Sequence, residues 1–300
     1  MGALPARFRR ERLLIVGCGD VGMRVVHGLR GRMKVCALTS SAQRIGALRQ
    51  SGVTPLLGNL DDARTLARLA GIATRVLHLA PPPADGRYDS RTAALNAALR
   101  RRTVPASFVY GSTSGVYGDC QGEIASEARA VNPHTPRAVR RVDAEQRARH
   151  LGRATGVRVS ILRIPGIYAA DREGGTPEGR LRKGTPVLQA PDDVYTNHIH
   201  ADDLARACMR ALWRAKPQRV YNVNDDTVLK MGDYFDLAAD LYGLPRPPRL
   251  PHAQAQDQLP PMLLSFMSES RRMDNSRLKR ELKLRLNYPT VADGLGAKLR

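Results

Sequence analysis

Three hundred residues with 42% hydrophobic content are ordinary for a soluble globular chain and enough for one large α/β domain, or a main domain with a smaller lobe. The formal net charge of +20 comes from 41 Arg and 7 Lys spread along the chain against 28 acidic residues. No aromatic residue interleaves the densest run, Arg100 to Arg102, so solvated basic faces and weak, salt-sensitive polyanion binding are expected rather than a specific nucleic-acid site. No apolar run approaches the roughly 18 residues of a membrane span, and the basic leader before Leu13 lacks the apolar core and cleavage site of a secretory signal, so a cytoplasmic location without membrane attachment is expected.

In chain order, Leu13 to Val16 reads as a buried strand, residues 20–31 as a helix, Met33 to Leu38 as a second strand, 42–51 as a helix and Val53 to Leu57 as a third strand. Asp61 to Leu69 reads as helix, Arg75 to Leu79 as strand, Asp85 to Arg102 as helix and Ala106 to Tyr110 as strand. Thr135 is placed to cap a long helix over Pro136 to Ala154, with proline at its first position, and Val157 to Leu162 is the sixth strand. Six strands alternating with helices predict a doubly wound parallel Rossmann sheet, an α/β fold whose ligands lie beyond the C-terminal ends of the strands.

Past Pro165 the rhythm gives way to Gly- and Pro-rich loops, a helix over Ala201 to Ala215, a strand Arg219 to Asn224, a helix Lys230 to Tyr242, a Pro-rich stretch over Pro245 to Pro261 and a helix at 276–284. The reading is a dinucleotide-binding domain over 11–165, to which 198–224 return, a smaller mixed substrate-binding lobe over 166–300, and a flexible basic tail over 1–10. Cys18, Cys36, Cys120 and Cys208 form no CxxC pair and read as buried free thiols, and no metal site is expected.

The first strand runs into Gly17-Cys18-Gly19-Asp20-Val21-Gly22, a GxGxxG pattern that opens a helix. Gly17 permits the tight turn and Gly19 the close approach of backbone N–H groups to a pyrophosphate, while Gly22 lets helix and sheet pack closely. Asp20 and Val21 stand where the helix start meets the phosphates. About 20 residues on, an NAD-selective site places an acidic residue. Here that stretch is Leu38-Thr39-Ser40-Ser41 with Arg44 close behind, hydroxyls and a guanidinium that suit a 2′-phosphate, so NADP is favoured with NAD second.

Further segments follow in a fixed order: Gly58-Asn59-Leu60-Asp61-Asp62, Leu77-His78-Leu79-Ala80-Pro81-Pro82, Phe108 to Gly118 (FVYGSTSGVYG), Leu162 to Tyr168 (LRIPGIY), Asn197 to Ala205 (NHIHADDLA) and Val220 to Asn224 (VYNVN). Over nearly the whole chain these resemble the short-chain dehydrogenase/reductase superfamily, specifically its extended and atypical members related to NAD-dependent epimerases and dehydratases. The fingerprint reads GxGxxG where most members read GxxGxxG, which points to the atypical branch. The resemblance implies the adenine end of a dinucleotide near Ser40, Arg44, Asn59 and Leu60, and the nicotinamide near Ala80, Pro81, Thr113 and Pro165. Active members carry YxxxK on the long helix, where Tyr exchanges a proton and Lys lowers its pKa and holds the ribose.

Matching Ala144-Glu145 to the family's SKxxAE ending puts Arg137 at the Tyr position and Arg141 at the Lys position, so the motif reads RxxxR. Arginine stays protonated in proteins and serves as no proton shuttle. Two like charges one helical turn apart repel by a few tenths of a kcal/mol unless an anion sits between them, so a phosphate or carboxylate is implied; the alternative is a solvated helix face laced by Asp143–Arg147 and Glu145–Arg149 pairs. Thr113, four residues before Tyr117, matches the family's active-site Ser or Thr. Tyr110, Tyr117 and Tyr168 are candidate replacements for the missing acid or packing aromatics, with Tyr117, Tyr168 and His200 also read as substrate contacts. Asp202 and Asp203 are expected to cap the helix that follows, and His78 to be a strand residue.

Two functions remain open. One is an NAD(P)-dependent oxidoreductase or epimerase-like enzyme acting on a hydroxyl or carbonyl of a small polar substrate, free or nucleotide-linked, with Thr113, Arg137 and Arg141 as its catalytic set. The other is a catalytically silent NAD(P)-binding redox sensor or regulator. A monomer or homodimer is expected.

Overall fold

The computed structural model describes residues 11–29 and 31–296, so the basic tail expected over 1–10 lies outside the described residues. In chain order the elements are β1 (Arg12–Val16), α1 (Asp20–Leu29), β2 (Lys34–Thr39), α2 (Arg44–Gln50), β3 (Thr54–Leu57), β4 (Arg75–His78), α3 (Ser90–Arg100), β5 (Ser107–Thr113), β6 (Ile124–Ala125) and α4 (Pro136–Thr155). They continue with β7 (Arg158–Ile164), β8 (Gly166–Tyr168), α5 (Glu178–Arg182), β9 (Val187–Leu188), β10 (Tyr195–Thr196), β11 (His198–His200), α6 (Ala201–Arg214), β12 (Arg219–Asn222) and α7 (Met231–Tyr242), followed by short helices and strands up to Val291–Gly296. Among the described residues, no helix is long and apolar enough to cross a membrane.

Seven strands form one parallel sheet in the order β12-β7-β5-β4-β1-β2-β3. The chain order reverses between β1 and β4, where Val16 sits in register with both Leu38 and His78, and this opens a crevice at the strands' C-terminal ends. β1 explains why the sheet is covered on both faces. Its apolar run alternates by strand period, Leu13 and Ile15 joining the core beneath α1 and α6, Leu14 and Val16 joining the core beneath α3 and α4. All four side chains are fully buried, a contribution of about 1.5–3 kcal/mol each. A third cluster around Tyr168, Leu181, Val187, Phe235 and Ala238 gives the C-terminal lobe its own core.

The sixth predicted strand becomes β7, and β12 adds a seventh by pairing Val220 with Ile161 and Asn222 with Arg163. The helix predicted from Asp61 is a 3-10 helix over Ala63–Leu69, because Asn59 accepts from the Asp61 N–H and Asp62 from the Arg64 N–H, local turns that displace the first α-helical turn. The helix predicted from Asp85 starts only at Ser90, where the buried Asp89 accepts from the Thr92 N–H. α4 begins as expected, with Thr135 accepting from the Ala138 N–H and Pro136 first, and ends on Gly156 at φ 75°. The four cysteines are buried and unpaired.

Candidate active site

The crevice at the switch point is built from the glycines outward. At Gly17, with φ +87°, an added Cβ would stand 2.3 Å from the Ala80 backbone nitrogen, so only glycine lets the β1 turn close against the end of β4. Gly22 sits where a Cβ would lie 3.3 Å from Cys18 Sγ and 3.4 Å from the Gly17 carbonyl, which holds α1 close to the sheet. Nothing comes within 4 Å of the Cβ position at Gly19, so a ligand has room on that side of the turn, while the Gly19 N–H itself donates to the Gly17 carbonyl at 2.9 Å. These features fit a dinucleotide pyrophosphate at the α1 N-terminus.

Around this turn, Thr39 is buried and its hydroxyl accepts from the Ser41 N–H, Ser40 is exposed, and Arg44 reaches back to donate to the Cys18 carbonyl at 2.6 Å. The Arg44 guanidinium therefore lies against the fingerprint loop. Asn59 is exposed with its side-chain oxygen turned to Asp61, Leu60 is half-buried, and Ala80 is buried beside exposed Pro81. Asp20 is ion-paired at the helix start with Arg24 at 3.0 Å and Arg172 at 2.7 Å.

Beyond the sheet, a cavity of about 510 Å³ opens between the sheet domain and the C-terminal lobe. β5 delivers Thr113 to it, α4 delivers Arg137 and Arg141, and Pro165 and Tyr168 come from the end of β7 and from β8. Thr113, Arg137, Arg141 and Pro165 are thus brought to one wall. Thr113 accepts from the Gly115 N–H at 3.3 Å. Arg141 donates to the Tyr110 hydroxyl at 3.0 Å and to the Gly111 carbonyl at 2.7 Å, while Arg137 lies over the Phe266 ring at 5.3 Å.

None of the three tyrosines offers a free phenol to this cavity. Tyr110 is wholly buried, burial raises its pKa, and its oxygen accepts from Arg141. Tyr117, read as a substrate contact, instead donates to Asn222 Oδ1 at 2.7 Å inside the protein and stacks beneath Arg163 at 4.6 Å; burial raises its pKa as well. Tyr168 reaches the cavity wall, but its hydroxyl donates to the Thr290 carbonyl at 3.2 Å and packs against Gly294. His200, also read as a substrate contact, does not line the cavity. Its Nδ1 accepts from the Asp202 N–H at 3.2 Å and its ring stacks on Tyr288 at 3.7 Å. His200 therefore caps α6 in place of the two aspartates, and Asp203 turns inward to accept from the Asn287 and Tyr288 N–H groups.

The α4 surface also differs from expectation. Asp143 pairs with Arg147 at 2.6 Å as the spacing implies, but Glu145 faces inward, accepting from Ser112 Oγ at 2.6 Å and pairing with buried Arg163 at 2.8 Å. His78 is buried in β4, bonded to Thr92 Oγ1 at 2.9 Å, and burial followed by the Arg141 charge pulls its pKa down to about 3.

The far wall of the cavity holds residues no motif had marked: Arg180 of α5, Tyr195 of β10, Tyr234 and Phe235 of α7, and the Glu269–Arg271 pair at 2.7 Å. His198, from the Asn197 to Ala205 segment, lines the same wall, stacked on Tyr234 at 4.1 Å, with burial pulling its pKa down to about 4 and so keeping it neutral. Tyr234 and Phe235 lie on the helix expected over Lys230 to Tyr242, whereas Arg180, Tyr195, Glu269 and Arg271 lie on short segments, and only the tertiary fold gathers them. Among the described residues no group of three or more His, Cys, Asp or Glu could hold a metal.

The fold has counterparts of known structure. A functionally unknown conserved protein from Silicibacter pomeroyi is 30% identical, with 96% of this chain and 97% of that one covered at a TM-score of 0.78. UDP-glucose 4-epimerase from Thermotoga maritima, solved with UDP-glucose, is 17% identical over 95% of this chain and 96% of that one, with a TM-score of 0.77. UDP-glucuronic acid 4-epimerase from Bacillus cereus, solved with NAD, is 19% identical over the same shares, 95% and 96%, with a TM-score of 0.74. No curated protein matches the chain. The model of the NAD dependent epimerase/dehydratase family matches residues 13–224, from β1 through the sheet to the end of β12, and the chain belongs to that family.

Proposed function

We propose that this chain binds NADP(H), with NAD(H) as the weaker alternative, and acts as an oxidoreductase or epimerase-like enzyme on a hydroxyl or carbonyl of a small polar substrate held in the interlobe cavity. The observation that carries this reading is the presence of two features at one sheet edge: open space beside Gly19 at the start of α1, and a cavity walled by Thr113 and Arg141 at the end of β5. Family membership supports a pyridine dinucleotide as the redox partner. Such a cofactor supplies hydride transfer. Gly17, Gly19, Asp20, Val21 and Gly22 would hold its phosphates, Thr39, Ser40, Arg44, Asn59 and Leu60 its adenosine end, and Ala80, Pro81 and Pro165 its nicotinamide end.

Within this reading Thr113 orients the substrate oxygen, and Arg141, fixed by Tyr110 and Gly111, presents a rigid positive charge that stabilises developing negative charge on that oxygen without moving a proton. The second reading, a silent redox sensor, is favoured by the commitment of Tyr110, Tyr117 and Tyr168 to internal hydrogen bonds.

Calorimetric titration tests the cofactor. NADPH is expected to bind at least about tenfold tighter than NADH, equivalent to about 1.4 kcal/mol, because Arg44 and Ser40 are available to a 2′-phosphate and no carboxylate stands there. Tighter NADH binding would overturn the preference, and no binding of either would overturn the reading. Turnover with NADPH across a carbonyl panel separates enzyme from sensor.

A further inference from the structure

Arg180 is the anomaly of the cavity wall. Its guanidinium carbon lies over the Phe235 ring, 4.3 Å from the centroid, and its Nε and Nη2 are buried with no hydrogen-bond partner. Stacking stabilises the face of a guanidinium but leaves its in-plane N–H fork unsatisfied, and a buried unpaired cation is costly. Its neighbours do not share this state. Arg271 donates to Glu269 and to the Gly118 carbonyl, and Arg141 to two neutral oxygens. Among the described residues, five ionised side chains line the cavity: Arg137, Arg141, Arg180 and Arg271 against Glu269, which Arg271 neutralises. Three positive charges remain, and they come from both sides, Arg137 and Arg141 from α4 of the sheet domain and Arg180 from α5 of the lobe.

Resting on the reading that this cavity takes the substrate, we propose that the substrate carries an oxyanion at each end, one gripped in the fork of Arg180 and the other held by Arg137, with Arg141 left to the reacting oxygen between them, so that it bridges the two lobes. The planar fork matches carboxylate and phosphate alike, bidentately. A single anionic group satisfies one wall and leaves the other cation bare.

The test uses the full chain saturated with NADPH, so that the phosphate site of the cofactor is already filled, and reads binding of glutarate, 3-phosphoglycerate and the monoanion butyrate by calorimetry. The expected result is that glutarate or 3-phosphoglycerate, whichever the cavity prefers, binds at least about tenfold tighter than butyrate. Arg180→Gln should lower that affinity to the butyrate level while leaving NADPH binding unchanged. Equal binding of dianion and monoanion, no binding of either dianion, or an Arg180→Gln variant with undiminished dianion affinity would overturn the proposal. Failure of NADPH itself to bind would instead overturn the reading beneath it. If Arg180→Gln does not fold, arginine labelling of the wild-type chain with a phenylglyoxal reagent decides. Mass mapping should show Arg180 protected about tenfold by the dianion, and unchanged labelling would sink the idea.

Discussion

Tyr117 shows how little a residue's place in a motif says about the direction of its side chain. It stands in the segment expected to face substrate, yet the turn at Gly118, with φ 64°, swings it beneath Arg163 and onto Asn222. Tyr117→Phe should therefore cost about 1–3 kcal/mol of stability, because it leaves the buried Asn222 oxygen without its donor, while cofactor affinity stays unchanged. Urea unfolding beside an NADPH titration checks both halves, and a weakened cofactor with intact stability would return Tyr117 to the site. Arg137 and Arg141 differ in the same way despite identical chemistry. Arg141 is tied to Tyr110 and Gly111, whereas Arg137 lies over exposed Phe266 and, among the described residues, makes no hydrogen bond or ion pair.

At the scale of elements, buried polar side chains fix how helices and loops seat on the sheet. Glu145 on α4 reaches Ser112 on β5 and Arg163 on β7, so one carboxylate sets the helix against the strand that carries Thr113. His78 does the same for α3, bonding Thr92, whose hydroxyl donates to the cap residue Asp89 at 2.5 Å. Its pKa is held near 3 when folded against an ordinary 6.5, so the unfolded chain takes up the proton first as pH falls. The stability contributed by neutral His78 is complete above about pH 6.5 and lost between there and about pH 3, a total on the order of 5 kcal/mol. His78→Leu should flatten that part of the acid-unfolding profile measured by urea titration at a series of pH values. An unaltered slope would show that His78 is not buried in neutral form.

Across the whole molecule, the lobes meet through charges that flank the fingerprint. Arg24 on α1 pairs with Asp171 in the loop after β8 at 2.6 Å and with Asp202 on α6 at 2.5 Å, and Arg172 crosses to Asp20. Asp171 keeps 72% of its side-chain surface exposed, so solvent screens its pair. Asp171→Asn should change the unfolding free energy by less than about 1 kcal/mol, with that difference shrinking further in high salt. A larger loss in thermal unfolding would mean that the pair holds the lobes together. The cavity the lobes enclose depends instead on apolar packing, with Tyr168 and Phe235 in the core of the C-terminal lobe.

The sheet domain was legible from the chain because its signals are local. Apolar runs of strand length, a glycine triplet at a turn, and the Thr135-Pro136 helix start each act through neighbouring residues, and the structure places β1 to β5, β7 and α4 within a few residues of the expected bounds. Arg137 and Arg141 were marked by the resemblance, which sets them at the Tyr and Lys positions of the family's motif, and both do line the cavity. Nothing in the sequence marked Arg180 or the Glu269–Arg271 pair, which reach the cavity from short segments far apart in the chain. Nor did it foresee that Glu145 would turn inward or that His200 would cap α6. Sequence alone determined the parallel sheet and the dinucleotide crevice, because strand period and backbone sterics operate over a few residues. Only the tertiary structure decided which polar side chains face the cavity and which are spent inside the protein, because a buried donor or acceptor is satisfied by whatever partner the folded chain brings within about 3 Å.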